Sequence, residues 1–105
     1  METTEERQSF QDIISSGKLV LVDFSAEWCG PCKMMVPVLS ELKSRIGEKA
    51  MIIKIDIDRN PQVSAAYNIQ SVPTLILFQN NQVKWRQSGV MQANELEKII
   101  DRFIV

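Results

Sequence analysis

Apolar positions along this chain recur at two periods, and the changes between them set out its elements. Leu19-Val20-Leu21-Val22-Asp23-Phe24 is apolar on both alternating faces, the pattern of a central strand covered on each side. Asp23 interrupts it on the face shared with Leu19 and Leu21, so its carboxylate is expected inside. Ahead of this strand, Phe10, Ile13 and Ile14 recur at helical spacing before Gly17, and Thr3 followed by Glu6 fits a capping box for that helix. Behind it, a helix is predicted from about Cys29 to Ile46. Met35, Leu39, Leu42 and Ile46 form its apolar stripe, Gly47 its end and Pro37 a kink within it. Met51, Ile53, Ile55 and Ile57 alternate with Ile52, Lys54, Asp56 and Asp58, which predicts a second strand. Asn60-Pro61 then marks a helix start, with Val63, Ala66 and Tyr67 as its apolar face. Thr74 to Phe78 and Val83 to Gln87 read as strands joined at Asn80-Asn81, residues that tolerate the left-handed conformations of a tight hairpin. Gly89 ends or bulges the second of these. Leu96, Ile99, Ile100 and Phe103 define a last helix capped by Gln92 or Asn94. Strand-helix-strand crossovers followed by a hairpin imply an α/β fold, a mixed sheet with helices on both faces. Chemistry in such folds gathers at the carboxyl ends of the parallel strands.

Length and charge narrow the function more than the fold. The chain has 105 residues. It reads as one domain over 1–105, large enough to bury roughly 65% of its unfolded surface without metals or structural disulfides. Twelve basic against thirteen acidic residues give a net charge of −1, with neither sign gathered in a block. Nucleic-acid and membrane partners therefore gain no support. The stretch Met1-Glu2-Thr3-Thr4-Glu5-Glu6 is acidic where a signal peptide would be basic, and the apolar runs fall far short of the about 20 residues of a membrane span. A cytoplasmic protein is the expectation.

The candidate chemistry lies in Trp28-Cys29-Gly30-Pro31-Cys32, which holds both cysteines of the chain. Proline just inside a helix start loses no hydrogen bond, so the segment is expected to open the helix. Residues three apart on a helix lie about 5 to 6 Å apart at Cβ, close to the reach of a disulfide. A thiol at a helix N-terminus faces unpaired N–H groups and the positive end of the dipole, which favour thiolate. Cys29 is then the nucleophile and Cys32 the resolving thiol of a thiol-disulfide exchange. Two other readings remain open on the motif alone. Half of a zinc site would need further ligands, and the chain has no histidine, so carboxylates or a second chain would have to supply them. A purely structural disulfide would close a very short loop and restrain little of the unfolded chain. The residues alone also leave Asp23 either buried or at a solvated strand end, and Lys54 either functional or merely exposed.

Together with Asp23-Phe24, Lys54, Val72-Pro73-Thr74 and Gly89, this motif resembles the thioredoxin family over nearly the whole chain. The resemblance implies a thioredoxin fold, with a central mixed sheet of four or five strands flanked by about four helices. It implies a protein-disulfide reductase in which Cys29 attacks, Cys32 resolves and Asp23 moves the proton of the second thiol, with Lys54 beside Asp23 as its modulator. Pro73 would follow a cis bond and face the cysteines, and Val72 would pair its backbone with the substrate. Trp28, Gly30, Pro31 and Gly89 would complete the docking surface. No bound cofactor or metal is implied, only the Cys29-Cys32 couple. The implied partners are disulfide-containing proteins and an NADPH-dependent reductase, with the chain acting as a monomer. An adaptor of the same fold without redox turnover is the alternative. Ser25, Ser71 and Asn81 depart from residues common in the family, tryptophan at the first and glycine at the others. Ser71 and Ser88 make the rim beside Val72 and Gly89 more polar, which bears on partner choice.

Overall fold

A computed structural model describes residues 9–104. Residues 9–14 are helical (α1), followed by strand β1 (Val20–Ser25), helix α2 (Gly30–Ile46) and a 3-10 turn at Gly47–Lys49. Strand β2 (Met51–Asp56), helix α3 (Pro61–Ala66), strands β3 (Thr74–Gln79) and β4 (Gln82–Ser88) and helix α4 (Ala93–Arg102) complete the order. The capping box expected at Thr3 and Glu6 lies outside the described residues.

The four strands form one mixed sheet in the order β2-β1-β3-β4. β1 runs parallel to β2 and antiparallel to β3, and β3 and β4 form the hairpin. This order follows from burial. Every residue of β1 is buried, and β3 is buried up to Gln79, whereas β4 is mostly exposed. The two strands apolar on both faces therefore take the centre. Leu19, Leu21, Leu75 and Leu77 project to one side, where they pack with Met35, Leu42 and Ile46 of α2 and Leu96 and Ile100 of α4. Val20, Val22, Phe24, Ile76 and Phe78 project to the other, against Phe10, Ile14 and Val63. Phe78 anchors that layer through edge-on contacts with Phe10 at 5.4 Å and Tyr67 at 5.1 Å between ring centres. Asp23 belongs to the first side, so its carboxylate points toward α2.

Several local details depart from the pattern reading. Cys29 is the N-cap of α2 rather than its first helical residue. Pro37 lies inside α2, where the sequence placed it. On α3, Ala66 is exposed and Ser64 is buried instead, its hydroxyl donating to the Asn60 carbonyl at 2.9 Å. Asn60 is the N-cap of α3 and Pro61 its first residue, as the sequence placed them, although the Asn60 side chain makes no capping bond and its amide donates to the Asp56 carbonyl at 3.0 Å. Glu95 secures the start of α4, its carboxylate accepting the Gln92 N–H at 3.1 Å. Asn80 and Asn81 both take positive φ, 51° and 67°, as a two-residue hairpin requires. The register shift of the hairpin falls between Leu77 and Phe78, opposite Lys84, while Gly89 (φ 99°) ends β4. Among the described residues no helix is long and apolar enough to cross a membrane.

Candidate active site

The site forms where β1 runs out into α2. Beyond Ser25 the chain turns, and the Cys29 N–H donates to the Ala26 carbonyl at 3.2 Å. Cys29 is left extended (φ −92°, ψ 112°) at the mouth of the helix, with its sulfur accepting the Cys32 N–H at 3.1 Å. A cysteine thus holds the position usually taken by a serine or aspartate cap. Cys29 and Cys32 are joined by a disulfide, with their Cα atoms 5.3 Å apart. Both are nearly buried. The same N–H that caps the helix would stabilise negative charge on the Cys29 sulfur once the bond opens.

Three further segments meet the cysteines. The Val72–Pro73 peptide is cis, and the Val72 carbonyl oxygen lies 3.7 Å from the Cys29 sulfur. In the disulfide that sulfur carries no proton, so this is a contact and not a hydrogen bond. Gly89, at a positive φ that other residues rarely adopt, donates its N–H to the Pro73 carbonyl at 2.8 Å. Trp28 is 69% exposed, and its indole N–H donates to Asp58 at 2.9 Å. Asp58 is itself held by Asp56, whose carboxylate accepts the backbone N–H groups of Asp58 and Arg59 at 2.8 and 3.1 Å. The tryptophan therefore stands as a fixed apolar plate beside the disulfide. Gly30 and Pro31 are exposed between the cysteines.

Asp23 and Lys54 lie behind this face. Asp23 is 1% exposed, and among the described residues no donor reaches either of its carboxylate oxygens. Burial pushes its pKa up from the ordinary 3.8 to about 6, and the opposing Lys54 cation, its register partner on β2, draws it partly back. One pleat further out, a cleft of about 300 Å³ is lined by Ser25, Ala26, Glu27, Cys32, Lys33, Lys54 and Asp56. Ser25, itself buried, and Cys32 both line this cleft. Among the described residues no group of three or more His, Cys, Asp or Glu side chains gathers to hold a metal.

The structure thus brings Trp28, Cys29, Gly30, Pro31, Cys32, Val72, Pro73 and Gly89 together and sets Asp23 buried behind them, with Lys54 exposed at the register position beside it. Asp58 had no signal in the sequence, since its link to Trp28 spans 30 residues and arises only when β2 lies beside β1.

Comparison with known proteins converges on one family. The Thioredoxin family model matches residues 2–102. The thioredoxin of Rickettsia prowazekii (strain Madrid E) is 40% identical over 93 residues, covering 89% of each chain. That of Chlamydia trachomatis serovar D is 44% identical over 96 residues, 91% of this chain and 92% of the relative. Among solved structures, a mutant thioredoxin from Halobacterium salinarum superposes with a TM-score of 0.84 at 34% identity, covering 93% of this chain and 85% of the other. Plasmodium falciparum thioredoxin gives a TM-score of 0.82 at 35% identity, covering 92% and 93%.

Proposed function

This chain belongs to the thioredoxin family, and from that premise we propose that it is a cytoplasmic reductant of disulfides in other proteins, working as a single domain and a monomer. Thiol-disulfide exchange at Cys29 and Cys32 is the chemistry of the family, which acts on disulfide substrates. In the reduced protein, the Cys29 thiolate attacks one sulfur of a substrate disulfide. That bond breaks, the departing sulfur takes a proton and a mixed disulfide forms on Cys29. Cys32 then gives its proton to Asp23 and attacks the Cys29 sulfur. The second substrate thiol leaves, and two electrons have passed to the substrate. The protein is left as the Cys29–Cys32 disulfide. The observation that carries this assignment is the asymmetry at the helix start, where the Cys29 sulfur accepts the Cys32 N–H at 3.1 Å.

Asp23 suits the second step because a pKa of about 6 lets it take and release a proton near neutrality. Lys54 modulates it across the sheet. Trp28, Gly30, Pro31, Val72, Pro73 and Gly89 form the docking surface, with the Val72 backbone pairing with an extended substrate segment as the family resemblance implies. The direction follows from what stands near the thiolate. No histidine lies between the cysteines, Lys33 comes after Cys32 and is exposed, and Glu27 and Asp23 oppose negative charge on Cys29. The thiolate is only moderately stabilised, which favours the disulfide and makes the dithiol an electron donor. An NADPH-dependent flavoprotein reductase restores the dithiol, and no bound cofactor, nucleic acid or membrane takes part. Reduction of insulin by dithiothreitol tests the proposal. The expected result is acceleration in proportion to the protein added, whereas a rate equal to background would favour the adaptor of the same fold.

A further inference from the structure

Thr74 and Ser88 face each other across the β3–β4 pair, at the end of the hairpin next to the disulfide. The segment Ser71-Val72-Pro73 leads into β3, and Gly89 follows β4 directly. Thr74 is fully buried, and its hydroxyl lies 2.7 Å from the Ser71 carbonyl oxygen and 2.9 Å from the Ser88 hydroxyl. A hydroxyl has one proton, and a carbonyl can only accept. Thr74 therefore spends its proton on Ser71, and Ser88 must donate to Thr74. The result is a chain with a fixed direction, Ser88 to Thr74 to the Ser71 carbonyl, in which each bond polarises the next.

This chain has a consequence for the residue between its anchors. The Ser71 carbonyl is taken by Thr74, and the Pro73 carbonyl is taken by the Gly89 N–H at 2.8 Å. Both neighbours of Val72 are thus tied down. Among the described residues the Val72 amide itself has no hydrogen-bond partner, and its carbonyl meets only the Cys29 sulfur. An incoming extended segment then finds at Val72 both backbone groups available next to the reactive sulfur, whereas Pro73 has no N–H to offer and the carbonyls of Ser71 and Pro73 each already accept a hydrogen bond.

We propose that Ser88 is a positioning residue that, through Thr74 and Ser71, fixes the backbone at Val72 for pairing with a substrate chain. The inference rests on the reading of Val72 as the substrate-pairing residue. Ser88 touches neither cysteine and takes no part in the exchange step. Its loss should weaken the binding of peptide-containing substrates and leave the reactivity of the sulfur pair intact.

The test compares two substrates across wild type, Ser88→Ala and Ser88→Thr, with insulin as a disulfide inside a polypeptide and a small aromatic disulfide as one with no chain to pair. Loss of one hydrogen bond of this kind corresponds to about a fivefold rise in KM for insulin in Ser88→Ala, with kcat nearly unchanged. Kinetics with the small disulfide should match wild type, and Ser88→Thr, which keeps the hydroxyl, should restore the insulin KM. An unchanged insulin KM in Ser88→Ala, an equal loss with both substrates, or failure of Ser88→Thr to restore it would overturn the role of Ser88. Failure of the wild type to reduce insulin would instead overturn the underlying function, and the two results are separate because the wild type is measured alone.

Discussion

Asp23 has two states of unequal cost. Its ionised form has lost its water and gained only Lys54 in return, so the folded protein holds a proton that the unfolded chain releases. The folded pKa of about 6 lies above the ordinary 3.8, and a raised carboxylate contributes stability that is present below the lower value and lost as pH rises through the upper one. That gap, at about 1.4 kcal/mol per pH unit, amounts to about 3 kcal/mol. Asp23→Asn has nearly the same shape and cannot ionise, so it should match the wild type near pH 4 and exceed it by about 3 kcal/mol above pH 7. Urea denaturation of the oxidised proteins across this range would check it, and a difference independent of pH would contradict a buried, titrating carboxylate. The burial of Asp23 was legible only with the family resemblance added, because the residues alone fit a buried carboxylate and a solvated strand end equally well. The missing partner was not, since whether a donor reaches it depends on neighbours from β2 and α2. Asp58 was hidden for the same reason, and so was the use of the Thr74 hydroxyl to tie Ser88 to Ser71.

The β3–β4 hairpin shows which local features fix an element. Asn80 and Asn81 both sit at positive φ, and the Asn81 N–H also donates to the Ile14 carbonyl at 2.8 Å, tying the turn to α1. Asparagine tolerates this backbone, but a β-branched residue does not. Asn81→Val should lose about 1–2 kcal/mol, whereas Asn81→Gly should stay within about 0.5 kcal/mol of wild type. The turn lies at the far end of the hairpin from Thr74 and Ser88, so turnover per folded molecule should be unchanged in both. Chemical denaturation decides it, and equal losses in the two variants would mean that left-handed backbone is not what the position demands. This turn was readable because its cause is local. So were α2 and α4, whose stripes face the sheet as their spacing required. The apolar face of α3 was read less well, because Ser64 is buried and Ala66 exposed, and in a helix of 6 residues the period has little length in which to declare itself. Cys29 was misplaced by one position, as helix, when it caps α2 from outside. Which residue serves as cap is settled by backbone geometry that periodicity does not carry.

At the scale of the molecule, the two strands that are apolar on both faces take the centre of the sheet, and that places the carboxyl end of β1 between β2 and β3. The first turn of α2, the segment at Val72–Pro73 and the end of β4 all arrive there, although they are far apart in the chain. Alternation and element order carried the mixed sheet with helices on both faces. Which loops meet at the cysteines came from the family resemblance, since no local pattern states that Val72 and Gly89 are neighbours. The central claim is that this assembly makes the two cysteines unequal. The Cys29 sulfur sits at the helix mouth with an N–H aimed at it, and Cys32 lies one turn inside. The most direct test is mass spectrometry of Cys32→Ser and Cys29→Ser after each has met a protein disulfide. Cys32→Ser should accumulate a mixed disulfide on Cys29 because nothing remains to resolve it, and Cys29→Ser should trap almost none. Equal trapping by the two variants, or trapping mainly through Cys32, would contradict the assignment.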